Sequence, residues 1–315
     1  MSKLLQGIIV PMITPLTLDG ALDIEGLERL VEHILRGEVN ALFLAGTTGE
    51  GPALSHEIRK KMIARVCNQV KQRVPVVMAA MDSSPAETMN MIIHASDVGA
   101  AAVAIAPPFY MSVSQSDLVR YGRAIADASP LPVYLYNVPN ANLPRFTLDT
   151  LEQLCELENV LGFKDSGGSR DFLIAAIQLF EKRPETSVLV GPEPLLVEAL
   201  RAGGDGGVSG GANLFPQLYT ELYKASTLDD WETVEALHQL VLRVERDFYR
   251  VGEGESSLIR GIKAAASHLG ICSATMAPPY VSATPEEIAE VALRLERFQE
   301  VLLETFSRTG TLVKI

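Results

Sequence analysis

Cysteine is scarce: Cys67, Cys155 and Cys272 stand far apart in a chain of 315 residues. That number and spacing support neither a disulfide framework nor a thiolate metal site, and fit small buried hydrophobes instead. Histidine is equally thin. His33, His56, His94, His238 and His268 are dispersed, with no H-x-x-x-H and no paired-carboxylate spacing, which disfavours metal-dependent carbonyl chemistry. Basic residues are outnumbered, 27 Lys and Arg against 39 Asp and Glu for a net charge of −12, and no basic face is evident, so a nucleic-acid partner is not expected. No apolar run is long enough to span a bilayer, and Met1-Ser2-Lys3-Leu4-Leu5-Gln6-Gly7 carries no signal-peptide h-region or cleavage site. A soluble, cytoplasmic protein is the expectation. Linkers, low-complexity runs and abrupt charge shifts are missing too, while 47% hydrophobic residues are ample for one large core.

What is present is alternation. Short strand-like runs ending in Gly, Pro, Thr or Asn occur at residues 7–16, 41–50, 75–82, 101–108, 132–139, 160–166, 187–194 and 206–213. Between them lie stretches with apolar residues every three or four positions: 23–36, 55–71, 85–97, 114–128, 147–155 and 170–180. Ser55, Ser84-Pro85 and Thr147 supply helix starts. Eight such repeats predict an α/β fold, a (β/α)8 TIM barrel with a C-terminal helical extension. Residues 1–226 form the expected barrel. Residues 227–315, which read as helices only, form a region packed on it. An open doubly wound sheet uses the same alternation, but no G-x-G-x-x-G follows the first strand.

In a parallel barrel the working face lies at the C-terminal ends of the strands. Lys164 ends one apolar segment, Val160-Leu161-Gly162-Phe163-Lys164-Asp165, and Tyr136 lies near the end of the preceding one. Alternation puts Lys164 on a face with Gly162 and Val160, with Leu161 and Phe163 towards the helix layer, and pairs Tyr136 with Tyr134 on one face. Lys164 and Tyr136 are thus predicted to enter the barrel mouth from adjacent strands. A lysine stripped of hydration favours its neutral, nucleophilic form, and a phenol beside it can move protons, a pairing suited to Schiff-base chemistry on a carbonyl. The turn Gly46-Thr47-Thr48-Gly49-Glu50-Gly51-Pro52 offers backbone N–H groups and two hydroxyls to a carboxylate or carbonyl oxygen. The glycine-rich stretch 203–211 suits a phosphate cradle, close packing or a roomy pocket.

In this order and spacing, Gly46-Thr47-Thr48-Gly49-Glu50, Tyr134-Leu135-Tyr136-Asn137-Val138-Pro139 and Gly162-Phe163-Lys164-Asp165 resemble the dihydrodipicolinate synthase / N-acetylneuraminate lyase family. Thr14-Pro15 and the glycine-rich eighth strand fit it as well. The resemblance implies a homotetramer of two tight dimers and a small-molecule 2-oxo acid substrate of the pyruvate type, held as a covalent imine without cofactor or metal. Residue by residue, it implies that Lys164 forms the imine and Tyr136 relays protons. Thr47 connects Tyr136 to a further tyrosine, Tyr110 being the position that crosses the tight-dimer interface. Thr48, beside Gly46, helps hold the substrate carboxylate, and Val208 lines the pocket through its carbonyl.

One departure concerns the second substrate. Family members that make dihydrodipicolinate carry an arginine two residues after the Tyr-Asn-Val-Pro proline, where this chain has Ala141, which makes no bidentate contact with a carboxylate. Arg145 follows nearby, just before the next helix. The turn 46–52 with Leu54-Ser55 is more similar to the 2-keto-3-deoxygluconate aldolase branch, and Asn140 and Asn142 suit sugar hydroxyls. The leading expectation is therefore a class I lyase splitting or dehydrating a 2-keto-3-deoxy sugar acid. Condensation of pyruvate with aspartate semialdehyde is the alternative, and a non-catalytic 2-oxo acid binder a third.

Overall fold

The computed structural model describes residues 3–110, 112–138 and 144–312. Eight strands close into a barrel in chain order: β1 (Gly7–Pro11), β2 (Ala41–Leu44), β3 (Val76–Ala79), β4 (Ala102–Ile105), β5 (Val133–Asn137), β6 (Val160–Asp165), β7 (Ser187–Val190) and β8 (Gly206–Val208). All pairs are parallel, and β8 returns to β1 with Gly7 opposite Gly206 and Ile9 opposite Val208. The first seven strands are each followed by a helix on the outside: α1 (Ile24–Arg36), α2 (His56–Val70), α3 (Pro85–Asp97), α4 (Gln115–Ala128), α5 (Leu148–Cys155), α6 (Arg170–Phe180) and α7 (Leu196–Arg201). After β8 come α8 (Pro216–Thr227), which completes the ring, and α9 (Trp231–Phe248), α10 (Ser257–His268) and α11 (Pro285–Thr309). Among the described residues no helix is long and apolar enough to cross a membrane.

Local chemistry accounts for these elements. Ser55, Ser84 and Thr147 accept hydrogen bonds from the backbone N–H groups of Ile58, Glu87 and Thr150, capping α2, α3 and α5 as expected, at about 1 kcal/mol each. The sequence reading overran the strands, by one residue at β6 and by more elsewhere, because the runs continue into the loops on the C-terminal face. It also left out α7, six residues that begin straight after a short 3-10 turn.

Strand faces sort the core into two shells. Val133, Leu135 and Phe163 face the helices, while Phe43, Tyr134, Tyr136, Leu189 and Val208 fill the barrel. Alanines at 41, 79, 102 and 104 line the same interior, and their small volume admits the aromatic rings. One expectation about β6 needs correction. Val133 pairs with Val160, but Tyr134 pairs with Gly162, so Leu161 is an extra residue, a β-bulge. Val160 therefore faces the helix layer and Leu161 packs against the interior cluster, opposite to strict alternation, whereas Gly162 and Lys164 keep their inward positions. Gly162 is required there: a Cβ would lie 2.2 Å from the Ser187 carbonyl and 2.6 Å from the Tyr134 ring. The ring of Tyr134 fills that space, and its hydroxyl lies 3.3 Å from Ser187 Oγ.

The last helices share the core of the barrel's outer shell. Phe215 after β8, Phe248 at the end of α9 and Phe298 on α11 form one aromatic cluster, with centroids 4.4 to 5.7 Å apart.

Candidate active site

Lys164 and Tyr136 are directly opposed in the β5–β6 ladder, so both side chains rise on the inner face at the C-terminal end. The Lys164 ammonium nitrogen sits 4.0 Å from the centroid of the Tyr136 ring and 4.2 Å from that of Phe43. Those ring faces favour a cation, but burial is the larger influence and pushes the Lys164 pKa below its ordinary value. The amine is thus poised towards its neutral form, as its place on a buried strand suggested. Phe43 escaped the sequence reading, although inward parity from Ala41 on β2 places it beside the mouth. It meets Tyr136 edge to face, with centroids 6.0 Å apart, and fixes the tilt of the phenol.

The turn after β2 approaches the same phenol. Thr47 Oγ1 lies 3.2 Å from the Tyr136 hydroxyl, and either group can donate. Two backbone bonds of 3.0 Å tie the turn to itself, from the N–H of Glu50 to the Thr47 carbonyl and from that of Gly51 to the Gly46 carbonyl. Among the described residues the N–H groups of Thr47 and Thr48 have no protein partner, which leaves them open to an anion. Gly46 is buried, Thr48 half-buried, and Val208 closes the interior on β8.

Lys164, Tyr136 and Thr47 are therefore brought together. Tyr110 is not. It is 95% exposed on the β4–α4 connection, with a left-handed φ of 86° that is uncommon for a non-glycine residue. The glycine-rich stretch serves packing: a Cβ on Gly206 would meet the Gly7 carbonyl at 1.9 Å, and one on Gly211 the Tyr219 hydroxyl at 2.1 Å. Pro139, Asn140, Ala141 and Asn142 lie outside the described residues.

Arg145 is described, and it points elsewhere. A cavity of about 1060 Å³ opens among the N-terminal ends of α4, α5 and α6, and Arg145, Asn137 and Asp165 line it. Asn137 and Asp165 follow Tyr136 and Lys164 in their strands and so face the helix layer; Arg145 Nη1 is 3.5 Å from the Gly167 carbonyl on that side. Thus Arg145 occupies the outer layer, behind Lys164.

Burial raises the Asp165 pKa from 3.8 to about 6, against the opposing pull of the Gly167 N–H and Arg145. The folded state therefore holds a proton that the unfolded state has released, and stability falls as pH rises between about 4 and about 6, by on the order of 3 kcal/mol. Replacing Asp165 with Asn is expected to raise the melting temperature at neutral pH, with the gain fading towards pH about 4. Thermal melts across that range check this; a gain that does not change with pH would contradict it.

A model of the dihydrodipicolinate synthetase family matches residues 4–297. The 4-hydroxy-tetrahydrodipicolinate synthase of Phenylobacterium zucineum is 32% identical over 286 residues, which span 91% of this chain and 95% of that protein. The solved structure of a dihydrodipicolinate synthase from Bacteroides thetaiotaomicron superposes with a TM-score of 0.90 at 39% identity, covering 94% of this chain and 100% of that one. YagE from Escherichia coli K12, a prophage protein of the dihydrodipicolinic acid synthase family solved in complex with pyruvate, gives a TM-score of 0.88 at 30% identity, covering 94% and 99%.

Proposed function

The chain belongs to the dihydrodipicolinate synthetase family, and on that premise we propose that it is a class I lyase that binds pyruvate as an imine on Lys164. The observation that carries the reading is the buried Lys164 amine against Tyr136, with Thr47 in hydrogen-bond reach of the phenol. The neutral amine adds to the ketone carbon of pyruvate. Tyr136 gives a proton to the departing oxygen, water leaves, and the positive imine nitrogen takes up the electron pair released when C3 loses a proton. The resulting enamine adds to an aldehyde, or forms in reverse when an aldol bond breaks. The imine itself is the electron sink, so this scheme draws on no cofactor. Gly46 and Thr48 seat the carboxylate, and the Val208 carbonyl faces the bound acid.

For the aldehyde, the relatives' names favour aspartate semialdehyde over the sugar acid that the sequence first suggested. Ala141 supports the second reading, a 2-keto-3-deoxy sugar acid, and the outer-layer position of Arg145 leaves that argument standing. A substrate panel separates the two. With pyruvate and aspartate semialdehyde, turnover on the order of 1 to 10³ per second is expected for a synthase. Pyruvate release from sugar acids, with negligible condensation, would reverse the choice. Binding with no turnover of any kind would favour a binding protein.

For the assembly the proposal is a homotetramer built from tight dimers; Tyr110, exposed in the single subunit, is free to reach Thr47 across the tight-dimer interface. Mixing inactive Tyr110→Phe and Lys164→Ala variants is expected to restore part of the activity by forming one intact site per mixed dimer. No recovery after demonstrated subunit exchange would refute the crossing.

A further inference from the structure

We propose that Glu50 and Lys263 form a positioning pair through which the C-terminal helices set the 46–50 turn, holding Thr47 at the Tyr136 phenol. The inference rests on the imine chemistry proposed above and adds residues that make no contact with substrate. Both side chains are wholly buried and form an ion pair. Lys263, on α10, also donates to the Thr275 carbonyl at 2.6 Å, while the Ala277 N–H donates to Glu50 Oε2 at 2.7 Å. The Glu50 carboxylate thus bridges a helix and the segment after it, both far from the barrel in sequence.

On its other side Glu50 belongs to the turn. Its backbone is left-handed, φ 57°, a conformation an L residue holds only when its surroundings fix it. Its N–H closes on the Thr47 carbonyl, so the Glu50 backbone directly orients the residue that carries Oγ1. Gly51 presses against Ala45, where a Cβ would stand 1.8 Å from the carbonyl oxygen, and Thr14 Oγ1 donates to the Gly49 carbonyl at 2.6 Å. The turn is therefore gripped from behind, with the Thr47 hydroxyl held at the Tyr136 phenol. Stability alone gives a poor account of the pair, since well-packed apolar residues often replace a buried ion pair at no loss. Holding a strained turn in one geometry is what charge and hydrogen bonds add.

Two double variants test this. Glu50→Leu with Lys263→Met removes both charges and the Ala277 bond; Glu50→Gln with Lys263→Met removes the charges but keeps an oxygen that accepts from Ala277. The Gln–Met pair is expected to melt near the wild type, and the Leu–Met pair to fold but melt lower, because the buried Ala277 N–H loses its acceptor. Displacing Thr47 by about an ångström should slow imine formation and kcat about 100-fold in the Leu–Met pair, with pyruvate KM shifting less, and the Gln–Met pair should recover at least about tenfold. Trapping of pyruvate by borohydride on the wild type is measured first. If the wild type forms no imine, the functional reading fails by itself. If it does, equal rates in both variants and the wild type, or loss of folding in both variants, overturns the positioning role.

Discussion

Replacing Lys164 with alanine is expected to abolish trapping of pyruvate by borohydride and to lower kcat/KM by on the order of 10⁴ to 10⁶, the usual consequence of deleting a covalent nucleophile. No other described lysine is placed to substitute. Lys263 is locked against Glu50, and Lys3 is bound to Asp205 beside β8 at the opposite end of the barrel. A Lys164→Met variant separates chemistry from packing, because it keeps the bulk and removes the charge. Since burial depresses the native pKa of Lys164, the unfolded chain binds more protons than the folded one between the native value and 10.5. The wild type should thus gain stability as pH rises through that window. The Met variant should be the more stable protein at neutral pH, and its advantage should shrink towards pH 10.5. Mass spectrometry after reduction checks the first expectation and melts across pH the second; a pyruvate adduct on the alanine variant would overturn the assignment.

Tyr136→Phe carries the next largest effect. The ring that packs on Phe43 and shields the Lys164 amine is retained, and only the hydroxyl bonded to Thr47 disappears. Loss of general acid–base catalysis typically lowers rate about 10²- to 10⁴-fold. The fall should appear in kcat, with pyruvate KM changing little, because the carboxylate seat proposed on the 46–50 turn is untouched. Rapid-quench measurement of imine formation is the direct test. A variant within about threefold of the wild type would mean that a solvent molecule, and not the phenol, moves the proton.

Much of this site was legible in the chain, for a physical reason. Strand termini in a parallel barrel must converge, so a lysine and a tyrosine near the ends of consecutive apolar runs are brought together by topology alone. The 46–50 turn was equally readable from its glycines and hydroxyls. Period-two counting failed at Val160 and Leu161, because a bulge inserts one residue without leaving a compositional mark. The Glu50–Lys263 contact was invisible for a different reason. It joins a loop of the barrel to a helix beyond its last strand, and local periodicity carries no information about such a pairing. Arg145 illustrates the same limit: its position just before the next helix left its role open in the sequence, while the structure puts it with Asp165 behind the wall.

Tyr134, wedged against Gly162 and bonded to Ser187, has one more consequence. With Leu4 and Leu5 packed against the same interior cluster, it fills the barrel beneath Lys164. A barrel filled from below leaves its C-terminal end as the side from which ligands approach Lys164. Under the imine chemistry proposed above, the keto acid that bonds to the deep amine is expected to enter before the aldehyde, and an aldehyde arriving first is expected to obstruct it. The expected kinetic signature is a compulsory order of addition with inhibition by excess aldehyde, a traffic rule set by an aromatic ring one layer below the reacting amine.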